Sequence, residues 1–172
     1  DLIEVELLAA GLLERLRYDG GRETLRVTES GLQLMAATLQ KNRAARNAHE
    51  ALVERVAVEM QRAGRVVWRG LSLRAALAAD DGATDWVIAM PDVFSIRHTT
   101  VEDYVEPIVH EVKVRRPDLL GDVRHEAKRA AYLALSSQCW YVLKAGIGGP
   151  DDVPPECGVM LAHEGALEVA RP

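Results

Sequence analysis

Residues 107–120 read PIVHEVKVRRPDLL. Ile108, Val109, Val112 and Val114 are the branched aliphatics that fill the strands of a buried sheet. Glu111 and Lys113 interrupt them. A charge taken into a sheet interior is costly unless something compensates it. Residues two apart on a strand point to the same face. The carboxylate and the ammonium therefore either neutralise each other or jointly hold a third group, and the rest of the chain must decide.

A chain of 172 residues can bury a full core and suits one medium domain, or one domain with a small appendage. Apolar residues make up 48% and charged ones 27%, as in a soluble globular protein. No apolar run reaches the length of a membrane span and no signal-peptide pattern is present, so a cytoplasmic protein without membrane contact is expected. The chain starts at Asp1 rather than Met, which leaves room for a preceding segment. Cys139 and Cys157 read as two reduced thiols. A zinc site adding His163 is the alternative, without the paired spacing such sites show.

The net charge of −5 argues against a nucleic-acid partner, but its distribution does not. Residues 41–74 carry eight basic and three acidic side chains, and residues 112–129 carry six and three. Between them, residues 75–111 hold eight acids and one arginine. Basic blocks around an acidic centre fit a phosphate-binding rim about a metal-binding middle. Solvated helix faces with acidic loops fit equally well.

Along the chain, residues 1–10 read as a helix stopped by Gly11, followed by strands at 12–18 and 24–27 around the turn DGGRE. Thr28 can cap a helix from Glu29 to residue 63, with the polar KNRAARN at 41–47 as the domain junction. Within it, Leu52, Val53, Val56 and Met60 form an apolar stripe at helical spacing. RVVW at 65–68 reads as a strand and AALAADDGATD at 75–85 as an acidic loop. WVIAMPDVFSIR at 86–97 and YVEPIVHEVKVR at 104–115 read as two strands of a hairpin turning at HTTVED. A helix over 121–137, a buried strand over 138–146, a loop and a last hairpin turning at HEG complete the order. This predicts an α/β fold, a small mixed sheet flanked by helices.

Two stretches resemble known families. GLLERLRYDGGRETLRVTESGLQLM, residues 11–35, is similar to the strand–wing–strand–helix passage of MarR-type winged helices. The resemblance implies that residues 1–8 are the tail of a recognition helix and that Arg17 and Arg22 sit on the wing. The first half of such a domain is not in the sequence, which leaves DNA contact and a packing role as alternatives for residues 1–44.

Asp92, in MPD, opens the strand before the one carrying Glu111 and Lys113, nineteen residues earlier. PD…ExK on two adjacent strands, expected to be antiparallel, resembles the PD-(D/E)xK nuclease superfamily, the restriction-endonuclease-like fold. EVKVRRPDLLGD is especially similar to Holliday-junction resolvases and to MmcB-like repair-associated proteins. The resemblance covers roughly residues 45–145 and implies that residues 45–172 form a nuclease-like domain. It implies that Asp92, Glu111 and Lys113 are catalytic and that Asp92, Glu111 and the Val112 carbonyl bind Mg²⁺ or Mn²⁺. His49, or Glu50 beside it, would complete the metal site. Lys128 and Tyr132, one helical turn apart, are similar to a Gln-x-x-x-Tyr signature with Lys in place of Gln. With Arg115 and Arg116 they are the expected DNA contacts.

The chemistry suits these residue types. Phosphodiester hydrolysis needs charge stabilised on the phosphate and a water made nucleophilic; carboxylates hold the hard cation, and a lysine serves both water and phosphate. The purely structural alternative is a Glu111–Lys113 pair with Asp92 in a turn. His110 is expected to pack on the opposite sheet face, and Trp86 and Trp140 are expected in the core. The function implied is metal-dependent DNA hydrolysis in repair, recombination or restriction, by a monomer or a homodimer. The alternative is a non-catalytic DNA-binding or regulatory protein on the same fold.

Overall fold

The structure is a computed structural model that describes residues 1–78 and 82–172. The chain divides into two units, Asp1–Arg46 and Asn47–Pro172. The first opens with helix α1, Leu2–Ala9, whose Ile3 amide donates to the Asp1 side chain at 3.1 Å. Strands β1, Leu13–Arg17, and β2, Glu23–Val27, pair antiparallel as DGGRE predicts. Gly20 and Gly21 at the tip take φ of 90° and 79°, which glycine adopts without strain. The Thr28 hydroxyl accepts the Gly31 amide at 3.1 Å and so caps helix α2, Glu29–Arg62. That helix runs unbroken through KNRAARN: Ala, Arg and Lys are good helix formers, and polarity alone does not interrupt a helix. No helix of the described residues is long and apolar enough to cross a membrane.

The second unit is α/β. Its strands are β3, Arg65–Arg69; β4, Leu73–Ala78; β5, Thr84–Ala89; β6, Val93–Arg97; β7, Ile108–Lys113; β8, Gln138–Lys144; β9, Gly158–Ala162; and β10, Leu167–Arg171. Helices α3, Arg116–Asp122, and α4, Glu126–Leu135, connect β7 to β8. Six strands form one mixed sheet in the order β10-β9-β8-β7-β6-β3, parallel only across β7–β8 and β8–β9. β6 and β7 are antiparallel neighbours, with Val93 opposite His110.

Each face of the sheet has its own core. Leu52, Val53, Val56 and Ala57 of α2 pack on Val93, Val112, Val142 and Ala162. Leu119 of α3 and Ala131 and Tyr132 of α4 pack on Val109, Tyr141, Leu143 and Val159. The stripe read from the sequence is thus the buried face of the second half of α2.

Three expectations about elements need correction. The acidic loop at 75–85 is largely a hairpin: β4 and β5 form a separate two-stranded sheet against α4, and residues 79–81 lie outside the described residues. Alanine is depleted in strands, so LRAALA gives no strand signal; Ala75 and Ala89 are there because only small side chains fit beneath the helix. The single strand at 86–97 is two, β5 and β6, separated by Met90-Pro91-Asp92, since proline cannot donate to a ladder. The single helix at 121–137 is the pair α3 and α4 with a break at Val123–His125.

Candidate functional site

Strand alternation builds the site. On β7, His110 and Val112 face α2, while Val109, Glu111 and Lys113 face α4. Glu111 is only 4% exposed. Its Oε1 accepts from Lys113 Nζ and from Lys128 Nζ, each at 2.6 Å, and its Oε2 accepts from the Tyr132 hydroxyl at 3.0 Å. Lys128 and Tyr132 reach it together because four residues make about one turn of α4. Lys128 Nζ also lies 5.3 Å from the Tyr132 ring centroid.

A second carboxylate closes the cluster. Asp122, the last residue of α3, accepts from Lys128 Nζ at 2.6 Å and from the Tyr141 hydroxyl at 2.9 Å, and lies 3.2 Å from Lys113 Nζ. Two carboxylates and two ammoniums thus neutralise one another in a largely buried site, which is how buried charge becomes tolerable. The cluster also sets proton affinities. Burial pushes Asp122 up, but the Lys128 hydrogen bond and the two ammonium charges outweigh it and hold the carboxyl below its ordinary range. Burial pushes Lys128 down, yet Glu111 and Asp122 raise it overall. Burial and then the Glu111 charge push the Tyr132 hydroxyl up, so it remains a proton donor.

Asp92 stands on the other side of Glu111, just before β6. Its Oδ2 accepts the Val112 amide at 2.8 Å and lies 3.3 Å from His49 Nε2 on α2. His49 Nδ1 is 3.6 Å from Glu50. Burial, then the nearby Glu111 charge, raise the Asp92 carboxyl above its ordinary range against the opposing Val112 amide, His49 and Lys113. His49, Glu50, Pro91 and Asp92 line an open cleft of about 670 Å³.

The expected site residues therefore divide. Asp92, His49 and the Val112 amide form one group, and Glu111, Lys113, Lys128 and Tyr132 form another, coupled through the charges of Asp92 and Glu111. Arg115 and Arg116 join neither by hydrogen bond or ion pair. Arg115 chelates Asp118 at 2.7 and 3.0 Å, and Arg116 holds Asp152 at 2.9 and 3.2 Å. Asp122 and Tyr141 escaped the sequence reading. In a continuous helix Asp122 and Lys128 are six residues apart and face away from each other; the break between α3 and α4 brings them together. Tyr141 was findable, because the parallel register sets it opposite Glu111.

A divalent cation suits the donors in kind. Mg²⁺ is held by one or two carboxylates and keeps several waters, and two carboxylates close enough to raise Asp92 are an arrangement a cation would relieve. Among the described residues no three His, Cys, Asp or Glu side chains gather as a ready-made metal cage. Cys139 and Cys157 are both buried, whereas His163 faces Glu168 at 3.0 Å, and among the described residues the three do not gather as a zinc site.

Two aromatic expectations also resolve. Trp140 is half-buried over Gly158, but Trp86 is 59% exposed, on the outer face of β5, because the hairpin gives it no covering layer. His110 packs beneath α2 with its Nδ1 buried and without a hydrogen-bond partner. Burial, then the Arg65 charge, lower its pKa from 6.5 to about 4. A depressed folded value means the unfolded chain takes the proton first. Stability should be full above about pH 6.5 and fall toward pH 4, by roughly 3 kcal/mol at most from this residue. Urea melts across that range should show a shallower pH slope in His110→Leu than in the parent; equal slopes would contradict the assignment.

No family model, curated protein or solved structure matches this chain.

Proposed function

We propose that the Asn47–Pro172 unit is a metal-dependent deoxyribonuclease of the PD-(D/E)xK type, cutting phosphodiester bonds in DNA. The observation that carries the reading is the convergence on Glu111: Lys113 from its own strand, Lys128 and Tyr132 from α4, and the charge of Asp92 from the neighbouring strand. Lys113, Lys128 and Tyr132 contact that one carboxylate directly, and Asp92, held by the Val112 amide and His49, acts on it by charge alone.

Bound at Asp92 and Glu111 with the Val112 carbonyl, Mg²⁺ would supply Lewis acidity and an activated water. The chain's own groups do the rest. The Val112 amide and His49 orient the Asp92 carboxylate. Tyr132 fixes one oxygen of Glu111, which leaves the other to the two lysines. Lys113 and Lys128 stay anchored on Asp122, so either ammonium can turn toward a phosphate without losing its second partner. Arg115 and Arg116 contact DNA only by exchanging Asp118 and Asp152 for phosphate. The Asp1–Arg46 unit, with its helix, hairpin and helix, is proposed as a partial winged-helix element.

One observation favours the non-catalytic alternative: Glu111 Oε1 already carries two ammoniums, so the cluster is charge-balanced without a cation. Asp92→Asn separates the readings. Because burial and Glu111 disfavour the Asp92 charge, the neutral amide should keep or raise the melting temperature in EDTA. Calorimetric Mn²⁺ binding should be present in the parent and abolished in the variant. Undiminished binding in the variant would remove Asp92 from the site, and a large fall in melting temperature would make Asp92 a structural residue.

A further inference from the structure

The β4–β5 hairpin has two unlike faces. Inward, Ala75 and Ala89 are buried and Val87 packs with them in the core shared with α4. Outward, Trp86, Ile88 and Met90 follow one another at two-residue spacing, 59%, 69% and 59% exposed. Large apolar side chains in a solvent-facing row mark a binding surface. Ala76 lies opposite Trp86 and Arg74 opposite Ile88. Small Ala76 leaves the indole uncovered, and the Arg74 guanidinium sits over it, 5.2 Å from the ring centroid.

The row runs into the candidate active site. The Met90 carbonyl accepts the Tyr132 hydroxyl at 3.1 Å, and that hydroxyl is 3.0 Å from Glu111. Met90 also lines the cleft that holds His49 and Asp92. From Trp86 to Asp92 the extended chain spans about 20 Å at most, within reach of a short oligonucleotide.

We propose that this face is a stacking platform for the bases of single-stranded DNA, which leads a strand toward Asp92 and Glu111. An indole face accepts any base, and a guanidinium beside it can stack on the same base or meet its phosphate. Ile88 and Met90 extend the apolar floor. Arg74 is the one charge among the described residues of this face, and Asp85 alternates to the other side. Bases inside a duplex are already stacked and offer only their edges, so the platform selects single strands, frayed ends or flaps. The delivery step rests on the nuclease reading; the platform itself is tested without turnover.

The test uses the full chain in EDTA, with a fluorescein-labelled oligothymidine and a duplex of equal length, read by anisotropy. The single strand should bind more tightly than the duplex. Trp86→Ala should weaken single-strand binding by about 5- to 150-fold, the range for one stacked base, and leave duplex binding unchanged. Trp86→Phe should restore most of the loss. Quenching of tryptophan emission on binding should vanish in Trp86→Phe although Trp68 and Trp140 remain. Equal affinity for both DNA forms, unaffected by Trp86→Ala, overturns the proposal. So does a fall in the sedimentation mass of the free protein in Trp86→Ala, which would assign the face to self-association. A parent that binds single strands through Trp86 yet cuts no DNA in Mg²⁺ supports the platform and counts against the nuclease reading alone.

Discussion

Glu111→Ala should lower stability by roughly 3–5 kcal/mol, the range for stripping one partner from a buried ion pair. The carboxylate accepts from Lys113, Lys128 and Tyr132 at once. Without it, two ammoniums share Asp122 alone and repel each other across a site that excludes most water. Lys128→Ala should be milder, because that side chain is 36% exposed and water can take its place. Urea unfolding of the two variants, compared at equal m, checks the order. A change for Glu111→Ala no larger than about 1 kcal/mol, the usual limit for an exposed pair, would mean that the cluster is solvated.

Lys113→Ala should have its largest effect on chemistry. If the ammonium serves the attacking water and the phosphate, cleavage should fall by a factor on the order of 10²–10⁴, as removal of one electrostatic or acid–base group does. Its effect on folding should stay below that of Glu111→Ala, since Lys128 still holds Glu111 Oε1 at 2.6 Å. Melting and plasmid nicking measured on one preparation separate the two roles. A parent that cuts no duplex, single-stranded or branched DNA, with a variant as destabilised as Glu111→Ala, would end the enzyme reading and leave the binding one.

The sequence carried the centre of the fold and lost its periphery, for identifiable reasons. β7 was legible because aliphatics flank two charges at strand period, and that period put Glu111 and Lys113 on one face. The pairing of β6 with β7 followed from the polar HTTVED between them. Lys128 and Tyr132 were legible as neighbours by helical spacing. The β4–β5 hairpin was not, because its alanines answer to the space beneath α4 rather than to strand propensity. Asp122 depends on a helix break that only Gly121, inside the last turn of α3, hints at: VRH at 123–125 is itself compatible with helix. The exposure of Trp86 was equally hidden, since a tryptophan in an apolar strand reads as core until its sheet proves to have one covered side.

The alternation of β7 has a consequence for how the chain finds its fold. If the strand slid by one residue against β6 and β8, every side chain would change sides. Glu111 and Lys113 would then turn into the aliphatic layer under α2, among Leu52, Val53 and Val56, and lose Lys128, Tyr132 and Asp122 as partners. His110 and Val112 would meet the ammonium of Lys128 instead. A strand of six plain aliphatics would tolerate that slip. This one cannot, so its two charges act as a proofreading mark for strand register, whatever chemistry they also perform.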